Sequence, residues 1–99
     1  MPPKAPPLGP EAAEALALHA VAMIVADEDL LVRFLGLTGC DARDVRQRVH
    51  DPDFLGAVLD FVLHEDALVH KLAETAGIGP DRVLLARMKL PGAQIDWTP

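Results

Sequence analysis

Apolar residues recur every three or four positions through most of the chain, and runs alternating at period two are absent. That periodicity predicts helices and no strands. The turn chemistry divides the pattern into six stretches. Helix 1 starts at Pro10 or Glu11, where the missing proline N–H has no intrahelical partner to lose, and runs to about Ala26. Asp27 can cap a second helix over about Glu28 to Leu37, stopped at Gly39. Asp41 can cap a third that ends near His50. Asp51 and Pro52 open a fourth, which reaches about Leu63. Glu65 and Asp66 open a fifth that ends at Gly77, and Gly79 and Pro80 open a sixth that stops before Pro91. The expected fold is therefore all-α, a compact bundle of six short helices spanning residues 10–91. Residues 1–9 read as a Pro-rich disordered arm and residues 92–99 as an irregular tail.

The stretches match one another. Gly39 and Gly77 stand 38 residues apart, and at that offset Asp27 falls on Glu65, Leu30 on Leu68, Phe34 on Leu72 and Val45 on Val83. Upstream, Leu16 falls on Phe54 and Met23 on Phe61. The pattern reads as two similar three-helix halves, about 11–50 and 51–90. Helices 1 and 4 are apolar nearly all round, and a helix without a polar face is buried. They are expected to be central, with the other helices packed about them.

Two stretches, LHAVAMIVADEDLLVRFLGLTG and DPDFLGAVLDFVLHEDALVHKLAETAGIGP, resemble a family of small bacterial helical proteins, domain-of-unknown-function family 3572. The similarity covers about residues 11–92 and rests on the stretch from Asp51 to Phe61 and on the turn from Ala76 to Pro80. The resemblance implies a helical fold and brings no chemistry or site residues with it.

Composition narrows the function classes. The net charge of −6 argues against nucleic acid, whose binding is driven by neutralising phosphates. No apolar run approaches the roughly 20 residues that a membrane span requires. The opening MPPKAPPLGP lacks the apolar stretch of a secretory signal, so the expected location is the cytoplasm. Cys40 is the only cysteine, which excludes an intrachain disulfide.

Ala73, Gly77, Ile78 and Val83 have the spacing of a helix-turn-helix. A DNA reader also needs polar side chains facing outward on its second helix. In this copy the outward residues are Pro80, Asp81, Leu84, Leu85 and Met88, which cannot read bases. The first copy has the opposite defect. Arg43, Arg46, Gln47 and His50 form a plausible reading set, but Leu35 occupies the position where a small residue should let the helices close. Six of the nine Lys and Arg lie on helices 3 and 6. Cations near helix C-termini have a simpler origin in the helix dipole.

No catalytic constellation, cofactor site or metal site emerges. His64 and His70 are six apart, which turns them away from one another on a helix. Asp53 and Asp60 are too far apart along their helix to share a proton. Cys40 falls on Ile78 in the repeat and is expected to be a buried, inert thiol. What remains is surplus apolar surface. Leu84, Leu85 and Met88 lie outside the Val83–Ala86–Leu90 stripe and need either a partner or a cover from the tail with Ile95 and Trp97. The sequence thus points to a non-catalytic protein–protein interaction module, a homodimer or adaptor docking through Leu84, Leu85 and Met88. The alternative is a DNA-binding protein using Arg43, Arg46 and Gln47.

Overall fold

The helices begin and end where Asp, Pro and Gly stand in the chain. A computed structural model describes residues 9–91 and contains α1 (Pro10–Val25), α2 (Glu28–Thr38), α3 (Ala42–Arg48), α4 (Pro52–Leu63), α5 (Asp66–Ala76) and α6 (Asp81–Met88). The described residues form six helices and no strand. The expected arm and the tail carrying Ile95 and Trp97 lie outside the described residues.

Three of the starts are capped by an Asp side chain. Asp27 Oδ1 accepts hydrogen bonds from the N–H groups of Asp29 at 3.0 Å and Leu30 at 3.3 Å. Asp51 does the same for Asp53 at 3.0 Å, and Pro52 fills the first helical position behind it. Asp41 and Asp44 form a reciprocal capping box, with bonds of 2.9 and 3.1 Å. Such caps satisfy N–H groups that have no partner inside the helix.

α2 and α5 coincide in length at the 38-residue offset, and both end on a glycine with positive φ, Gly39 at 73° and Gly77 at 72°. The two exits then diverge. At α5 the Ile78 N–H donates to the Ala73 carbonyl at 2.9 Å and the Gly77 N–H to Glu74 at 3.3 Å, the paired bonds of a Schellman turn. At α2 only the Gly39 N–H returns, to Leu35 at 2.9 Å, while the next N–H, that of Cys40, is taken by Thr38 Oγ1 at 3.3 Å. The chain therefore leaves the two helices differently.

α4 is central. Phe54, Leu55, Gly56, Val58, Leu59, Phe61 and Val62 are buried, and beyond the first residues of the helix only Asp60 is exposed. α1, α5 and α6 pack against it. α2 reaches it through Phe34, whose ring meets those of Phe54 and Phe61 edge-on at 5.8 and 5.3 Å between centroids. These are favoured aromatic geometries. Arg33 lies 5.8 Å over the Phe61 ring and pairs with Glu65 at the start of α5.

Two expectations are corrected. α1 is central with α4, as expected, and packs against α2, α4, α5 and α6, but it is not buried all round. Ala13, Leu16, Ala17, Ala20, Met23 and Ile24 face inward, while Ala15, Leu18, Ala22 and Val25 face solvent. The four inner neighbours all lie on one side, so an apolar outer face is left bare. α3 does not pack closely about the centre either. It inserts a single buried residue, Val45, and ends at Arg48 rather than near His50. Leu35 stands where α5 has Ala73, a bulkier side chain at the position where the α5–α6 pair closes.

Leu59→Ala should lower the unfolding free energy by about 2–5 kcal/mol, because the α4 environment cannot collapse around the lost volume. Gly77→Ala should cost about 1–2 kcal/mol for placing a Cβ at positive φ. Urea titration checks both, and a Leu59→Ala loss below about 1 kcal/mol would contradict the central placement of α4.

Candidate functional site

α6 is short and carries two opposed faces. Val83, Ala86, Arg87 and Leu90 are buried. Asp81, Leu84, Leu85, Met88 and Lys89 are exposed and follow one another at steps of three and four, which makes them the outer face. Leu84 is 54% exposed, Leu85 41% and Met88 61%. The three apolar residues singled out from the sequence thus form one contiguous patch, with an acidic residue at the helix start and a basic one at its end.

An ionic clamp between buried Arg87 and exposed Asp60 holds this helix in place. Arg87 is 8% exposed. Its Nε donates to Asp60 Oδ1 at 2.6 Å and its Nη2 to Asp60 Oδ2 at 3.0 Å. Nη1 donates to the carbonyls of Leu90 at 3.3 Å and Pro91 at 2.9 Å. One guanidinium therefore ties α6 to α4 and fixes the turn after α6. Two parallel bonds to one carboxylate give this contact its geometric specificity. Gly56 makes room for it, since a Cβ there would stand 3.0 Å from Nη1 and 3.1 Å from the Pro91 carbonyl.

By its position alone Arg87 is a cation in the last turn of a helix, where the dipole favours it. The signal for a partner is Asp60, the one carboxylate of α4 beyond its first turn. A charge in that position calls for a partner.

The other candidates separate in space and in role. Arg43, Arg46 and Gln47 are all exposed, on the side of α3 opposite Val45. The start of that helix carries the Asp41 and Asp44 carboxylates of the capping box. In the second copy Ala73 and Val83 are buried and α5 packs on α6, so the helix pair closes as the spacing requires. Its outward face is the apolar patch. The reading residues and the closed helix pair thus remain on different copies.

Cys40 is half-buried rather than fully buried, because the α2 exit leaves it at the edge of the core. Glu65 precedes α5 without a side-chain cap, its carboxylate being engaged by Arg33 instead. His64 closes α4, with its Nδ1 2.7 Å from the Asp60 carbonyl. Among the described residues no three His, Cys, Asp or Glu side chains come together as a metal site. No helix among them is long and apolar enough to cross a membrane.

Asp60→Ala should destabilise the protein by about 2–3 kcal/mol, since it strips the carboxylate from a buried guanidinium. Arg87→Met, which removes the buried charge itself, should cost about 1 kcal/mol less. Chemical denaturation of the two variants checks the order, and the reverse order would show that the guanidinium is not desolvated in the fold.

Comparison with known proteins adds one finding. No curated protein and no solved structure matches the chain. A family model, Protein of unknown function (DUF3572), matches residues 10–93, which takes in all six helices. The chain therefore belongs to the DUF3572 family of proteins of unknown function.

Proposed function

We propose that the protein is a non-catalytic, cytoplasmic protein–protein interaction module that docks through Leu84, Leu85 and Met88, in the first instance onto a second copy of itself. The observation that carries this reading is the bare apolar face of α6 on a helix pinned from behind by Arg87 and Asp60. A fixed patch loses little freedom on binding, which favours its use as a docking face.

Charge order supports a second copy as the occupant. Asp81 begins the outer face and Lys89 follows its end. Two α6 helices laid antiparallel about a two-fold axis set each Asp81 opposite the partner's Lys89, with the apolar residues between. A contact of that kind is self-complementary. A helix of eight residues is only about 12 Å long, so the contact falls short of the roughly 800 Å² per partner of a stable interface. The dimer should therefore be weak, with a dissociation constant on the order of 0.1 mM.

Sedimentation across a concentration series tests the reading. The chain should rise from 10.6 kDa toward twice that mass, and the Leu84→Ser/Met88→Ser double variant should stay at the lower value. Asp81→Lys should weaken association and the added Lys89→Asp should restore it. A wild-type chain that remains a monomer up to about 1 mM overturns the self-docking reading.

A second reading, duplex DNA binding through α3, is favoured by the shared exposed face of Arg43, Arg46 and Gln47. It requires retention on duplex DNA at about 50 mM salt, lost steeply as salt is added. Free passage through a DNA column at that salt removes it.

A further inference from the structure

The outer face of α1 is a second apolar surface, and its charges differ from those of α6. Ala15, Leu18, Ala22 and Val25 follow one another at steps of three, four and three, the spacing of a helix–helix seam. All four are exposed, Leu18 at 41% and Val25 at 52%. The alanines let a second backbone approach closely, and the larger pair supplies anchors on either side. Toward its C-terminal end the seam opens into a groove of about 590 Å³ between α1 and α5. Ala22, Met23 and Ala26 form its apolar wall; His19, Asp27, Glu28 and Lys71 bring its charged and titratable groups.

The charge pattern selects the occupant. From Gly9 to Val32 the chain has Glu11, Glu14, Asp27, Glu28 and Asp29 and no Lys or Arg. Carboxylates thus stand at both ends of the seam. A second copy of α1 laid along it, parallel or antiparallel, would set acidic groups against acidic groups, an arrangement that disfavours association. A partner with cations flanking an apolar stripe meets no such penalty. Its long Lys or Arg stems can lie on Ala22, Met23 and Ala26 while the charged heads reach Asp27 and Glu28. Lys71 is the single cation of this chain at the groove, on the α5 side.

We infer that the outer face of α1, with the adjoining α1–α5 groove, is a docking site for a basic amphipathic helix of a partner protein. The seam from Ala15 to Val25 is about 15 Å long, and the stretch between its flanking carboxylates Glu11 and Asp27 about 24 Å, which matches roughly 16–18 residues of partner helix. This surface is separate from the α6 patch and stands whether or not the α6 dimer forms. Together they would let one chain associate with itself and recruit a second protein.

The test uses the full chain and a fluorescent synthetic peptide of about 18 residues, with Leu at the two apolar heptad positions and Lys elsewhere. A matched peptide carrying Glu in place of Lys is the control. Anisotropy at near-physiological salt should show saturable binding of the Lys peptide and none of the Glu peptide. Ala22→Arg, at an exposed position where helicity by circular dichroism should be kept, should weaken binding at least about tenfold. Leu84→Ser/Met88→Ser should leave it unchanged, which separates this site from the α6 contact. Equal binding of both peptides, or binding indifferent to Ala22→Arg, overturns the inference. So does a wild-type dimer that Ala22→Arg disperses and the α6 double variant does not, because the face would then belong to a second copy.

Discussion

The fold depends on the burial of α4. This helix has apolar side chains on nearly every side, and a helix of that kind is stable in water only when other elements surround it. α1, α5 and α6 supply three walls, and Phe34 of α2 closes the space between Phe54 and Phe61. The one carboxylate beyond the first turn of this helix, Asp60, is met by a guanidinium arriving from α6. Shape and charge at the centre therefore fix where α6 lies, and the position of α6 fixes which of its residues face water. The apolar patch is a consequence of how α4 is covered.

Two helix exits separate the otherwise similar halves. Ala73 and the Schellman turn let the chain fold back closely after α5, so α6 reaches the core with Val83, Ala86, Arg87 and Leu90. After α2, Leu35 is bulkier than Ala73 and the Thr38 hydroxyl takes the N–H of Cys40, so α3 is left on the periphery with only Val45 inserted. The functional contrast follows from this. The copy that closes tightly presents an apolar face, and the copy that stays open presents arginines. A DNA reader would need closure and polarity on one copy, and a difference of one side chain at the pivot helps to keep them apart.

Much of the fold was legible because it is written in short-range chemistry. Asp27, Asp41, Asp51, Gly39 and Gly77 act on backbone groups within a few residues, and their placement gave the helices nearly to the residue. The inward stripe of α6 was legible for the same reason, since Val83, Ala86 and Leu90 follow helical spacing. What could not be read was partnership across long separations. Arg87 and Asp60 lie 27 residues apart, and Arg33 and Glu65 32 apart, so no local pattern joins them. Which side of α1 stays bare could not be read for a related reason. Apolar residues all round a helix show that it could be buried on every side, but whether enough neighbours exist to do so is a property of the whole chain.

That shortage of neighbours is a matter of size. A chain of 99 residues can bury only roughly two-thirds of the surface its unfolded form exposes. Here 51% of residues are hydrophobic, and once α4 is enclosed the remaining helices have inner faces only. Part of the surplus is left on α1 and α6, with Val32 and Leu37 of α2 also exposed, and the charges around each face bear on what it can meet. α6 runs from an acidic to a basic residue and is complementary to its own reverse. α1 is acidic at both ends and complementary only to something basic. On the proposed readings, similar apolar exposure would meet different partners, because burial supplies the attraction while the order of charges along the helix decides between partners.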